Sequence, residues 1–497
     1  MKKYFYRTCF VLNKLMIFLF IINIANLNEK KIYVNRKLYS LNQITIKIKG
    51  EGTQSILNSE YENIPDEILV NGNPSNIVEE NKITNLENEE NIILMKWNNK
   101  LTSCRQMFEY LINLIEIDLT EFDSSEVKRM DYIFNGCKNL KKIIMNNNFK
   151  TTNVINMASF FAYCESLTSL DLSNFITCLT INMAFMFENC VSIKRLNLSN
   201  FNTSLVQNMG GMFQNCKSLQ SLNLSNFDTS NVMMMSYFFL NCVSLTSIDI
   251  SNFNTINTNF MSSMFFNCSS LTSLDLSNFN TQNVFLFELM FYGCKQLKEL
   301  NLSNFDTTAA ENMEYMFSEC IYLESVDISN FKIINNSILS NMFYNCNNLK
   351  FINLNNFVEN PTAELNNIFD GVPDNIVICS SNEENIPNIL DKLNDKICVI
   401  NYCLNDWKTK LKKINEDKKE CLDDCKEDND YSYEYQNKCY NKCPEGTHLL
   451  FYIDYLCIKN CPNNYPFEKY DECINNCSAI EFFNKICKIS NGNISSK

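Results

Sequence analysis

Histidine occurs once in 497 residues, at His448. Without a second imidazole, histidine-based hydrolytic triads and histidine-ligated metal centres have nothing to assemble from, because such sites need several side chains within mutual reach. Glycine is scarce at ten residues, and no glycine-rich phosphate loop is present. Long apolar runs are missing: no second one follows the segment from Leu15 to Ala25, and the last stretch, KISNGNISSK, is polar. A transmembrane or lipid-anchor tail is therefore not expected. Positive charge is in deficit as well. A formal net charge of −13 argues against nucleic acid, whose binders present basic patches. These deficits lead to the expectation of a protein that is no enzyme and holds no cofactor or resident metal.

What the chain does have is one phrase written about eleven times between Asn91 and about Ser380. One copy, from Ser270 to Cys294, reads SLTSLDLSNFNTQNVFLFELMFYGC. Its cysteine recurs at Cys164, Cys190, Cys216, Cys242, Cys268, Cys294, Cys320 and Cys346, a period of 26 residues without slippage. Cys137 precedes them with one extra residue between, and Leu111 and Val372 hold the same column at the two ends. Periods of this length mark solenoids.

Each copy has two halves. In the first, Leu274 and Leu276 alternate with polar Ser273, Asp275 and Ser277, which predicts a strand with one buried face. In the second, Val284, Phe287, Met290, Phe291 and Cys294 follow steps of three and one, which predicts a short helix with one buried stripe. Neither half can bury its apolar face alone. Stacked in register, the copies join those faces into one core in which each Phe or Leu contributes about 1.5–3 kcal/mol.

The leucine spacing resembles leucine-rich repeats, and the combination MFxxCxSLxxLDLSNFxTxxVxxM is similar to the BspA-like leucine-rich repeat surface proteins over roughly 290 residues. That resemblance implies a parallel-stranded solenoid on a secreted or surface protein with a link to adhesion. A turn asparagine is common where this chain has Phe175, Phe201, Phe227, Phe253, Phe279, Phe305 and Phe331, while asparagine stands one place earlier, at Asn174 through Asn330. The turn is expected to differ in detail.

The expected organisation is a signal peptide over 1–25, a β-rich N-terminal cap over 26–91, the leucine-rich-repeat-type solenoid (parallel strand plus short helix per 26-residue unit) over 92–380, a cap or linker helix over 381–418, and a small disulfide-rich C-terminal module over 419–497. Lys2, Lys3, Arg7 and Lys14 ahead of LMIFLFIINIA read as a secretory signal, either cleaved or kept as an uncleaved anchor. ITIKIKG, DEILVNG and NIILMKW read as strands of the cap, which would close the open end of the solenoid. NILDKLN and WKTKLKKI read as helical.

Past residue 418 the cysteines come as x3-spaced pairs: Cys421 with Cys425, Cys439 with Cys443, Cys457 with Cys461 and Cys473 with Cys477, followed by Cys487. CYNKCPEGTH and CIKNCPNNYPF resemble furin-like and growth-factor-receptor cysteine-rich repeats. Paired cysteines also build zinc sites, but those usually have two intervening residues, and a secreted chain favours disulfides. Nine is an odd number, so one cysteine looks outside the tail for a partner, with Cys379, Cys398 and Cys403 at hand. The pairing is not readable from the sequence. In the repeats, the cysteine column reads as buried thiols acting as small apolar residues, with inter-rung disulfides as the alternative. Cys178 lies outside the column and is unexplained. The column Met157, Met183, Met209, Met235, Met261 and Met313 reads as core.

Function is expected on the outward strand face. There Asp171, Asn197, Asn223, Asp249, Asp275, Asn301 and Asp327 recur, flanked by serines such as Ser173, Ser225 and Ser277. This strip reads either as a polar ladder, as a surface for a glycan or an extended protein segment, or as Asp and Asn oxygens around calcium. Glycosylation sequons stand at Asn197, Asn223, Asn301, Asn335, Asn476 and Asn493. The expected function is interaction or adhesion at a cell surface or after secretion, with an extracellular protein or glycan as partner, no nucleic acid, and no transmembrane anchor beyond an uncleaved N-terminal signal. The alternative is a self-associating coat or matrix protein.

Overall fold

The computed structural model describes residues 42–380 apart from 147, 335–336 and 374–375, and then the stretches 382–393, 397–400, 413–415, 420–422, 425–427, 429–430, 433–435, 438–444, 448–450, 456–458, 467–469, 472–474 and 487–489. The signal-peptide reading, most of WKTKLKKI, and Cys461 and Cys477 fall outside the described residues. Among them, no helix is long and apolar enough to cross a membrane. The chain divides into two units, Met1–Val232 and Met233–Lys497.

The first unit opens with a β-rich region: β1 (Gln43–Lys49), β2 (Gly52–Ser55), β3 (Glu67–Val70), β4 (Asn73–Ser75), β5 (Lys82–Leu86) and β6 (Glu90–Lys96). The alternation in ITIKIK buries Ile44, Ile46 and Ile48 on one face of β1. The first rungs of the repeats are β7 (Leu114–Asp118) and β8 (Lys142–Ile144), paired in parallel. β1 lies antiparallel to both β6 and β7, giving a sheet of order β4-β3-β6-β1-β7-β8. An antiparallel strand thus covers the edge that the first rung would otherwise leave open.

From there the coils stack in parallel. Bridges step from Ser103 to Arg129, Asn156, Asn182 and Asn208, one coil at a time. The core of this unit is a row of rings, Phe108, Phe134, Phe161, Phe187 and Phe213, with successive centroids 5.7–5.9 Å apart and planes within 13°. Met157, Met183 and Met209 lie beside them, fully buried.

The second unit repeats the scheme. Its strands include β9 (Ser247–Asp249), β10 (Glu299–Asn301), β11 (Ser325–Asp327), β12 (Phe351–Asn353) and β13 (Ile376–Cys379). β10 to β13 pair in parallel with a constant one-coil register. Phe239, Phe265, Phe291, Phe317, Phe343 and Phe369 stack at 5.1–5.7 Å. NILDKLN forms the helix α1 (Pro387–Leu393), whose first turn is capped by the Glu359 carboxylate, accepting from Asn388 N–H at 2.6 Å and Ile389 N–H at 3.0 Å. After it, β14 (Ile397–Ile400) adds one more parallel strand beside β13.

The expected short helix in each repeat is not there. The apolar residues assigned to it are buried, but the backbone alternates two bonds: Leu289, Phe291 and Gly293 donate to Glu314, Met316 and Ser318 of the following coil, while Met290, Tyr292 and Cys294 donate three residues back. Each coil places two residues four apart in the left-handed region, such as Leu289 at φ 59° and Gly293 at φ 66°. Those residues close successive tight turns, as a positive φ at the third position of a turn does. A turn repeated every four residues buries nearly the same positions as a helix of 3.6 residues per turn, and so leaves nearly the same pattern in the sequence. At Gly136 a Cβ would lie 2.4 Å from the Tyr110 ring of the preceding coil, so a side chain there requires that ring to move.

Candidate functional site

The predicted strip is outward as expected. Asp171, Asn197, Asn223, Asp275 and Asn301 are exposed, whereas Asp249 and Asp327 are half-buried; Ser173 and Ser277 are exposed and Ser225 is half-buried. Each Asp or Asn uses its Oδ1 locally, accepting the N–H of the serine two residues on, Ser173, Ser199, Ser225, Ser251, Ser277, Ser303 or Ser329, at 2.9–3.2 Å. These are Asx turns that end each strand. The Ser173 and Ser277 amides hold the Asp171 and Asp275 carboxyls below the usual carboxylate range. Asn353 Nδ2 also donates to Asp327 Oδ2 at 3.0 Å, a bond from rung to rung. The strip therefore serves the turns as well as facing the medium.

Behind it run two polar ladders that the sequence reading passed over. Thr151, Thr177, Thr203, Thr255, Thr281 and Thr307 are buried, and each hydroxyl donates to a carbonyl of the next coil at 2.7–3.1 Å. The same hydroxyl accepts the N–H of that same residue; Thr281, for example, serves both backbone groups of Asp306 at 2.8 Å. The asparagine of the NF pair closes the turn from the other side, with Asn304 Nδ2 donating to the carbonyls of Leu276 at 2.9 Å and Phe279 at 2.8 Å in the preceding coil.

The column cysteines are buried thiols outside any disulfide. The thiols of Cys137, Cys164, Cys190, Cys216, Cys268, Cys294, Cys320 and Cys346 each donate to a phenylalanine carbonyl of the preceding coil, as Cys294 does to Phe265 at 3.1 Å and Cys320 to Phe291 at 3.1 Å. Burial pushes the Cys216 and Cys320 thiols up to about 12. Thiolate is the reactive form, so these cysteines are structural and inert. Among the described residues, no group of three or more His, Cys, Asp or Glu could hold a metal ion.

One carboxyl within the turn ladder of the first unit has a raised affinity for its proton. Burial lifts Glu188 above 4.5, against the lowering effect of the Tyr163 hydroxyl and the Asn189 amide, which donate to its Oε1 at 3.1 and 3.3 Å. A folded pKa above the unfolded one means that stability falls as pH rises from about 4.5 through the folded pKa. Glu188→Gln is expected to flatten that fall, read as the urea midpoint at a series of pH values; an unchanged slope would refute the assignment.

On the surface of the first unit, Ile155, Ile176, Leu179, Ile181 and Leu205 stand 39–45% exposed on neighbouring coils, an apolar corner that the sequence reading did not single out.

In the C-terminal region the structure supplies what the sequence left open. Cys425 bonds Cys439, and Cys443 bonds Cys457, with Cα atoms 5.3 and 5.6 Å apart. The second cysteine of one pair joins the first of the next, 14 residues on. Cys439 and Cys457 each lie on the second strand of a hairpin, opposite Glu434 and Leu449. Cys178 and Cys379 are disulfide-bonded as well. Nothing is shown for the side chains of Cys421, Cys473 and Cys487. Peptide mapping without reduction is expected to recover the 425–439 and 443–457 linkages. A Cys421–Cys425 or Cys439–Cys443 linkage would overturn them.

This array of identical coils matches a family model described as "Mycoplasma protein of unknown function, DUF285" over residues 102–196, 181–300 and 261–377. Together the matches span 102–377, more than half of the chain. The chain belongs to the DUF285 family. The matched region coincides with the stacked coils. No curated protein matches the chain. Among solved structures, the "Crystal structure of TLR13-ssRNA13 complex" is similar at 12% identity over 52% of this chain and 50% of that one, with a TM-score of 0.16. The chain thus spans half the length of that relative, and a likeness at this score carries no argument.

Proposed function

We propose that this DUF285 chain is a secreted or cell-surface interaction protein that binds a protein or glycan partner through an extended face of its repeats. The observation that carries this reading is the constant register: one coil after another displays the same outward positions over an unchanged core. A partner with its own repeat meets many weak contacts at once, and their combined strength exceeds that of any single one. The likeness of the repeat to BspA-like surface proteins supports the same reading. The basic and apolar start of the sequence and the two disulfides of the tail support an oxidising compartment. Glycan-array and cell-binding assays on the full chain, run beside light scattering, test it. Ligand capture by a monodisperse monomer is the expected result; concentration-dependent polymerisation without any ligand would replace recognition with a self-assembling coat.

A further inference from the structure

The strand strip spends part of its hydrogen-bonding capacity on its own turns, whereas the turn segments of the second unit carry acidic charge that no ion pair among the described residues neutralises. The turn segments there, residues 235–242, 261–268, 287–294, 313–320, 339–346 and 365–371, contain Glu288, Glu314, Glu319 and Asp370 and no lysine or arginine, although Lys295 directly follows one of them. Among the described residues none of these four is in an ion pair. In the first unit, by contrast, Asp131 is held by Arg105 at 3.0 Å and Arg129 at 2.7 Å, and Glu165 by Lys138 at 3.2 Å. Glu288 is half-buried, and its buried Oε2 has no hydrogen-bond partner. Glu319 is held in place by Asn345 Nδ2, which donates to its Oε1 at 2.7 Å.

Aromatic rings share this face. Phe266 and Tyr292 stack at 4.8 Å with planes 7° apart. Tyr315 and Tyr344 lie near enough, with Glu319, for their charge to raise the Tyr292 phenol beyond what burial alone does. Tyr344 is 37% exposed. Rings beside unneutralised carboxylates attract ammonium and guanidinium groups, through the π face and through charge-assisted hydrogen bonds. A neutral sugar would use the rings and leave the carboxylates unanswered.

We infer that the turn-ladder face around Tyr292, Tyr315, Tyr344, Glu288, Glu314 and Glu319 takes a cationic segment of a partner protein, an exposed stretch rich in lysine or arginine. This rests on the interaction reading above and gives it a partner class and a face. Cation–π contacts and carboxylate pairing act together on one extended side chain after another. The association is salt-sensitive, because its charges meet at a solvated surface.

The experiment titrates the full chain with three synthetic dodecapeptides of alternating composition, Lys-Ser, Arg-Ser and Glu-Ser, by fluorescence anisotropy at low and high salt. The expected result is binding of the first two and not of the third. The triple variant Glu288→Gln, Glu314→Gln, Glu319→Gln is expected to weaken it on the order of tenfold or more. The double variant Tyr315→Leu, Tyr344→Leu is expected to weaken it severalfold. Glu299→Gln with Asp306→Asn, elsewhere on the same unit, leaves it unchanged. Circular dichroism melts establish that each variant is folded. Equal loss in the Glu299/Asp306 variant would reduce the effect to net charge and overturn the inference, as would indifference to the tyrosine changes or failure of both cationic peptides to bind. An oligosaccharide panel in parallel separates the two readings. Glycan binding without peptide binding sinks this inference and leaves the interaction protein standing, while no binding of any kind together with polymerisation sinks both.

Discussion

Phe291→Ala is expected to lower the unfolding free energy by about 3–5 kcal/mol, the range for deleting a buried aromatic side chain. The ring is fully buried between Phe265 and Phe317, 5.7 Å from each, with planes within 3° and 1°. Removing it leaves a cavity and breaks two ring pairs, each of which adds about 0.5–1.5 kcal/mol beyond area burial. In a stack where each coil meets only its neighbours, the gap also weakens the coupling of the coils on either side. Urea unfolding should therefore show a lower midpoint and a broadened or divided transition. The control is Phe285→Ala in the same coil. Its ring is 39% exposed, so the loss should stay near 1 kcal/mol or below. Equal losses at the two positions would mean that the ring row does not hold the coils together.

The rows of the core were legible because a 26-residue period places chemically equivalent residues on top of one another, whatever the local backbone does between them. Phe291, Met261 and Cys294 are buried where the columns put them. The backbone was less legible. Apolar steps at Phe287, Met290, Phe291 and Cys294 suit a helix and a four-residue turn repeat alike, and the sequence reading weighed only the helix. The discriminating sign was the residue before most of the column cysteines: Asn189, Asn215, Asn241, Asn267 and Asn345, with Gly136 and Gly293, are the residue types that tolerate the left-handed region, Tyr163 and Glu319 being the exceptions. A column of them is out of place inside helices and natural in turns. The disulfide partners of the tail were illegible because every pairing closes a loop, and only the folded hairpins set which cysteines meet. The outward position of the strip was legible from the strand alternation, but its Asx-turn role needs coordinates: Asp275 and Ser277 two residues apart fit a strand edge as well as a turn.

Thr281→Val, which trades a hydroxyl for a methyl of nearly the same shape, is expected to cost about 1–3 kcal/mol, because two part-buried backbone groups lose their partner. The two are the N–H and C=O of Asp306, both served at 2.8 Å by the one Thr281 hydroxyl. Thr281→Ser keeps the hydroxyl and loses only a methyl, worth about 0.8 kcal/mol. The more apolar variant should be the less stable, the reverse of what burial alone gives. The protein itself shows when the hydroxyl can go. The threonine column ends at Ile333, and there the next coil closes in: Ile333 N–H donates to Val358 O at 2.7 Å, and Val358 N–H donates to Phe331 O at 3.1 Å. Backbone replaces side chain, so no group is left unserved. At Thr281 the hydroxyl serves both Asp306 groups, and valine has nothing to offer in its place. Amide exchange gives the sharpest reading, since the Asp306 N–H should lose protection in the valine variant and keep it in the serine one. Protection retained in both, with valine the more stable, would show that the ladder is held by apolar contact alone.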